Sequence, residues 1–219
     1  MTADAWAAPG PGTLRHGGSL AEAVRALFAA LKGQAAERPR PAESIAIRLL
    51  RRRDPDAWHT LFTTELQPIY RYVRARVGNA TDAEDLTGRV FEEAWKHAES
   101  IEDRGLPARA WLFGIARHVV ASHRRRWVRK PPHLSIDAFE PPADGTGTAT
   151  DLLDLARAIG RLPSQQAEVI TLRFVHGLSL QETAEAIGAS VDAVKGRQAR
   201  ALAELRRMLS VEESAAGGR

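Results

Sequence analysis

The chain has 219 residues, 44% of them hydrophobic, with no cysteine and a formal net charge of +4. That length suits one large or two small domains. The missing cysteines exclude disulfides and thiolate metal sites, and the seven histidines form no HxxxH-type ligand pair, so neither a metal nor a cofactor is expected.

No apolar run approaches the roughly 20 residues needed to span a bilayer. The N-terminus also lacks a basic stretch followed by an apolar one. A soluble, cytoplasmic protein without membrane insertion is therefore expected. The isoelectric point near 9.9 points to a polyanionic partner, and the charge is unevenly placed. Residues 81–104 carry eight acids against three bases, whereas residues 109–130 carry seven bases and no acid. Adjacent segments of opposite sign imply two partners, or one partner and an intramolecular contact.

Residues 1–43 are rich in Ala, Gly and Pro and read as a variable extension. They hold one amphipathic helix, "SLAEAVRALFAALKG", with Leu20, Val24, Leu27, Phe28 and Leu31 on one face and Gly33 as its stop. Residues 44–127 read as helices separated by short breaks, with Pro55, Pro68 and Gly78 as punctuation. In "TDAEDLTGRVFEEAWKHA", Thr81 and Glu84 have capping-box spacing, and Leu86, Val90, Phe91 and Trp95 share a face. Pro107 suits the first position of the next helix, "PARAWLFGIARHVVASHRRRW".

Residues 128–150, with two Pro-Pro pairs and several glycines and threonines, read as a flexible linker. Residues 151–209 form a second helical unit, and 210–219 a tail. The expected fold is all-α: two small helical domains joined by the linker.

Within the second unit, "LSLQETAEAIGASVDAVKGRQARALAELRRML" has a helix-turn-helix layout. Ser179 and Glu182 form a capping box, Gly188 ends the first helix and Ser190 caps the second. Val191, Val194, Leu202, Leu205 and Leu209 fall on the inner side of that second helix. Asp192, Ala193, Gly196, Arg197 and Arg200 face outward, with Lys195 on the flank. Small residues and cations on an exposed face suit insertion into the major groove. A helix-turn-helix regulator acting alone is the other reading of this unit. A metal-dependent nuclease site among Asp82, Glu84, Asp85, Glu92 and Glu93 is disfavoured, because these acids sit in a capped first turn and on an amphipathic polar face.

Taken together and in this order, "DAEDLTGRVFEEAW", "RAWLFGIARHVV", a basic helix end, a loose linker and "LPSQQAEVITLRFVHGLSLQETAEAIGASVDAVKGRQARA" resemble the extracytoplasmic-function sigma factors of bacterial RNA polymerase. The resemblance covers roughly residues 44–209. It implies a sigma-2-like domain that binds core polymerase and the minus-10 element. It also implies a sigma-4-like domain that binds the minus-35 element. Such a protein has no catalytic residues of its own, and an anti-sigma factor is an implied partner.

Carried over by position, Asp85, Leu86, Arg89, Phe91, Glu92, Glu93 and Trp95 would contact core polymerase. Arg104, Arg109, Trp111, Arg117, His118, Arg124, Arg125 and Arg126 would serve the minus-10 element and its phosphates. Lys195, Gly196, Arg197, Ala199 and Arg200 would serve the minus-35 element. The chain departs from the family's usual residues at Gly88, Arg89, His118, Gly196, Gln198 and Ala199.

Overall fold

The computed structural model describes residues 43–77, 79–127 and 149–216. The amphipathic segment at 19–33, Gly78 and residues 128–148, which include Arg129 and all but the last two residues of the expected linker, lie outside them. The described residues form eight α-helices and short 3-10 and π turns, with no strand among them. The N-terminal unit comprises α1 (Glu43–Arg51), α2 (Pro55–Arg74), α3 (Ala80–Lys96) and α4 (Ala108–Trp127). The C-terminal unit comprises α5 (Ala149–Gly160), α6 (Ser164–Ile170), a π-helical continuation (Thr171–Val175), α7 (Leu180–Ile187) and α8 (Val191–Ala216).

Local signals set most of the boundaries. Asp54 accepts a bond from the Ala57 N–H at 3.0 Å, and Pro55 begins α2 where no N–H is needed. Trp58, one turn into α2, donates its indole N–H to the Leu50 carbonyl at 3.0 Å, which fixes the angle between α1 and α2. Pro68 does not break the chain: α2 runs through it. Thr64, whose carbonyl loses its helical bond there, is exposed, so water can take over. Burial of Leu61, Ile69, Tyr72 and Val73 on either side holds the helix together.

α3 is capped by Asn79, whose side chain accepts from the Asp82 N–H at 2.7 Å. Thr81 and Glu84 therefore lie inside the first turn instead of bracketing it. Pro107 sits just ahead of α4, its carbonyl taking the Ala110 N–H at 3.0 Å. In the C-terminal unit the Ser179–Glu182 capping box forms in both directions. Gly188 adopts the left-handed conformation at φ 66°, which costs a β-carbon-bearing residue most. Ser190 accepts from the Ala193 N–H at 3.2 Å.

The two units do not keep separate cores. Ala158, Ile159, Leu162, Ile170, Ala201 and Leu205 form a small cluster inside the C-terminal unit. The larger cluster runs across the boundary, with Val169, Leu172, Leu178, Ala186 and Val194 continuous with Leu112, Phe113 and the interior of α2 and α3. α7 lies against α4. The approach is close at Gly114, where a β-carbon would stand 3.5 Å from the Ala186 carbonyl oxygen.

Polar groups are sealed into this boundary. Glu168 of α6 accepts from the Tyr72 hydroxyl at 2.6 Å and from the Arg76 guanidinium at 2.8 Å. Arg76 also donates to the Tyr72 carbonyl at 2.9 Å and lies 3.7 Å from the centre of the Tyr72 ring. Burial pushes the Glu168 carboxyl up, but Arg76 and the Tyr72 hydroxyl overcome it and hold the group below the usual carboxylate range. Burial pushes the Tyr72 hydroxyl itself well above the usual phenol range.

His176 is 8% exposed and packs against Phe113 and Tyr72, with ring centres 5.0 and 5.7 Å away. Burial, then the positive charges of Arg76, Arg109 and Arg71, lowers its pKa to about 3. The unfolded chain takes up this proton below about pH 6.5, whereas the folded chain does so only near its own depressed pKa. Its contribution is intact above that unfolded pKa and is lost as pH falls through the interval, at up to about 1.4 kcal/mol per pH unit. A His176→Gln variant is expected to show a shallower fall of unfolding free energy between pH 6.5 and 4 in urea titrations. A slope equal to that of the unsubstituted chain would refute this assignment.

Candidate nucleic-acid and polymerase interfaces

On α8, Val194, Ala201 and Leu205 are fully buried, and Lys195, Ala199 and Arg200 are exposed. Lys195 has only an i,i+3 contact with Asp192, at 3.4 Å. Arg197 is half-buried. A β-carbon at Gly196 would meet only the Arg200 guanidinium, at 3.5 Å, an ordinary contact with a movable group. Gln198 is turned inward: its side-chain oxygen accepts from Arg173 Nε at 3.1 Å, while Arg173 Nη1 donates to the Leu178 carbonyl at 2.6 Å. The polar residue at 198 thus ties α8 to the chain that enters α7.

The acidic helix α3 divides differently from its sequence pattern. Leu86 and Phe91 are 6% and 8% exposed and belong to the interior. They are unavailable to an external partner in this structure, because α2 and α4 cover that face of α3. Asp85, Arg89, Glu92 and Trp95 are exposed, and Glu93 is half-buried. A hydrogen bond from Lys96 keeps the Glu93 carboxyl below the usual carboxylate range.

Trp95, 44% exposed, packs edge-on against Trp58 at 5.0 Å and lies under the Arg53 guanidinium at 5.6 Å. Phe62, also 44% exposed, packs edge-on against Phe91 at 4.9 Å. Phe62 was not singled out from the sequence. Its signal was its position four residues after Trp58, one turn along α2.

Of the residues assigned to the minus-10 element, Arg117, His118, Arg125 and Arg126 are exposed on α4, and Arg124 is half-buried. Trp111 is half-buried against the main core. Trp111, His118 and Arg126 line an open groove of about 510 Å³ that also takes in Arg89 and Glu93 of α3 and Glu185 of α7. The groove brings together residues drawn from two sequence-predicted surfaces.

Arg104 and Arg109 are already engaged. Arg104 donates to Glu102 at 2.6 Å and, across the boundary, to Glu185 at 2.8 Å. Arg109 donates to the His176 carbonyl at 2.7 Å, with its Nε 3.7 Å from Glu65. Burial raises the Glu65 pKa, and Arg109 opposes that rise. Among the described residues no cluster of three or more His, Asp or Glu is arranged to hold a metal ion, and no helix is long and apolar enough to cross a membrane.

Comparison with known proteins matches this arrangement on both halves. The "Sigma-70 region 2" family model covers residues 61–129, and "Sigma-70, region 4" covers residues 152–205. The chain is 36% identical over 162 residues to the ECF RNA polymerase sigma factor BldN of Streptomyces coelicolor, matching 71% of this chain and 61% of BldN. It is 31% identical over 150 residues to the ECF RNA polymerase sigma factor SigL of Mycobacterium tuberculosis, matching 67% of this chain and 85% of SigL.

Among solved structures, the sigma factor RpoE in complex with the anti-sigma factor NepR from Bartonella quintana superimposes with a TM-score of 0.56. It is 25% identical and covers 70% of this chain and 96% of that one. With region 2 and region 4 in the same order and SigL matched over most of its length, the chain belongs to the ECF sigma factors of the sigma-70 family.

Proposed function

We propose that this chain is a promoter-recognition subunit: it binds core RNA polymerase, directs it to minus-35 and minus-10 elements, and assists melting without chemistry of its own. The observation that carries the reading is the doubly capped helix-turn-helix, which presents Lys195, Ala199 and Arg200 on the open face of α8. It follows a region 2 whose final helix ends in three consecutive arginines.

In this reading α8 enters the major groove at the minus-35 element, where long cations reach base edges or phosphates. Arg117, His118 and Arg124 to Arg126 face minus-10 phosphates, and Trp111 supplies a ring beside an unstacked base. Asp85, Arg89, Glu92, Glu93 and Trp95 meet core polymerase, joined by the exposed ring of Phe62. RpoE of Bartonella quintana was solved with an anti-sigma factor, and a regulator of that class is the further partner expected here.

Run-off transcription with core polymerase on a promoter library tests the whole reading. Core-dependent initiation at a defined promoter set is expected. Tight, sequence-specific duplex binding by the protein alone, with no core-dependent transcript, would instead support a regulator acting alone.

Gly196 gives a finer test. Alanine there fits without a clash and is expected to stabilise the free chain by about 1 kcal/mol. Minus-35 binding should be unchanged or weaker, because the added methyl fills the closest approach to DNA. Tighter binding by Gly196→Ala would show that the glycine is not needed for that approach.

A further inference from the structure

We propose that the amphipathic segment at residues 19–33 docks as a helix across the aromatic face shared by α2 and α3, and in the free chain covers the surface assigned above to core polymerase. The consequence rests on that assignment; the docking rests on the chain alone.

The face is a ladder of two rungs. Trp58 and Phe62 stand one turn apart on α2, Phe91 and Trp95 one turn apart on α3, and the pairs Trp58–Trp95 and Phe62–Phe91 meet edge-on at 5.0 and 4.9 Å. Each rung buries one ring and leaves the other, Trp95 or Phe62, open to water. Two exposed rings joined in this way form an apolar patch of the kind that marks an interaction surface. Residues 19–33 supply a matching face, with Leu20, Val24, Leu27, Phe28 and Leu31 in one stripe.

Gly88 marks where the covering helix lies. It stands in the interior of α3, one turn before Phe91, and a β-carbon there would meet nothing within 4 Å. A glycine in a helix interior costs about 1 kcal/mol relative to alanine, and no described neighbour demands it. A helix laid over the ladder does.

The charges agree with that placement. Arg25 and Lys32 follow one edge of the apolar stripe, seven residues apart, and the exposed Asp85 and Glu92 follow one edge of the Phe91–Trp95 face at the same spacing. An antiparallel helix sets Arg25 beside Glu92 and Lys32 beside Asp85, which brings Phe28 to the level of Gly88.

The tether is long enough. Residues 34–42 join the segment to α1, and Pro39 and Pro41 among them keep the two helices from running on as one. Nine residues span up to about 30 Å. α1 is only about 13 Å long, and Arg53, just past its far end, lies over the Trp95 ring at 5.6 Å.

Because the chain has no cysteine, spin labels can be set at Ala29→Cys, on the polar side of the segment, and at Gln67→Cys, exposed on α2. One narrow distance distribution is expected in the full chain without polymerase. Leu27→Glu, which puts a charge into the apolar stripe, and Gly88→Gln, which fills the approach on α3, are each expected to broaden it. A broad distribution without either substitution, or one that neither substitution alters, would overturn the docking. A narrow distance that arises only between singly labelled chains mixed together would overturn it too, by making a second copy the occupant.

Leu27→Glu lies outside every proposed DNA and polymerase contact, and it is expected to tighten binding to core polymerase about threefold or more, because the binding-competent fraction rises. Unchanged or weaker binding would overturn the occlusion. If neither chain binds core polymerase, the promoter-recognition reading fails instead, and the distance measurement still decides whether the segment docks.

Discussion

Replacing Lys195 and Arg200 together with alanine is expected to reduce minus-35-dependent transcription about 30-fold or more, with core-polymerase binding retained, since a contact of this kind contributes about 1–3 kcal/mol and two are lost. The folded chain should barely register the change. Lys195 is exposed and its contact with Asp192 is a surface i,i+3 pair, a class worth under about 1 kcal/mol. Arg200 lies along its own helix over Gly196. Run-off assays on a promoter with an intact or scrambled minus-35 element separate the two outcomes. Equal losses on both templates, or no loss on either, would remove α8 from the minus-35 element.

Phe113→Ala is expected to have the largest effect on stability. Phe113 is fully buried. Its ring meets Tyr72 at 5.5 Å and His176 at 5.0 Å, so it belongs to the packing of both units. Truncation of a buried phenylalanine costs about 3–5 kcal/mol, from lost transfer free energy and the cavity left behind. For a chain of this size each kcal/mol lowers the melting temperature by about 2–4 °C, so thermal denaturation followed by circular dichroism should shift by about 6–20 °C. Phe113→Leu, which keeps most of the volume, should lose less. Equal shifts for the two variants would mean that ring packing at this joint is not what holds the units together.

The parts of the fold that could be read in the sequence are those governed by neighbours three or four residues apart. The Ser179–Glu182 box, the left-handed Gly188 and the Ser190 cap all formed where their spacing placed them, because each is a bond between a side chain and the backbone of the next turn. The start of α3 shows the limit of that method. Thr81 and Glu84 satisfy the same spacing as a capping box, but Asn79 captures the Asp82 N–H first. Pro68 was a break by local rules and is helical in fact, because packing on both sides of it outweighs one lost backbone bond.

The interfaces were legible as helix faces but not as surfaces. Periodicity places Leu86, Phe91 and Trp95 on one side of α3, yet only Trp95 remains open once α2 and α4 pack there. The exposed ring of Phe62 beside Phe91 comes from a different helix and emerges only from that packing. The order of the two units, the helix-turn-helix and its cationic face were determined by the sequence itself, since short-range hydrogen bonding and the 3.6-residue period encode them.

What only the tertiary structure decided is the seam between the units. Glu168 finds Tyr72 and Arg76 across 96 and 92 residues of chain, and Arg104 finds Glu185 across 81. No local pattern marks such pairs. Glu168 and Arg76 are ordinary in sequence and acquire meaning only where burial removes water and each must be satisfied by protein partners, whereas Arg104 and Glu185 meet at the exposed rim of the seam.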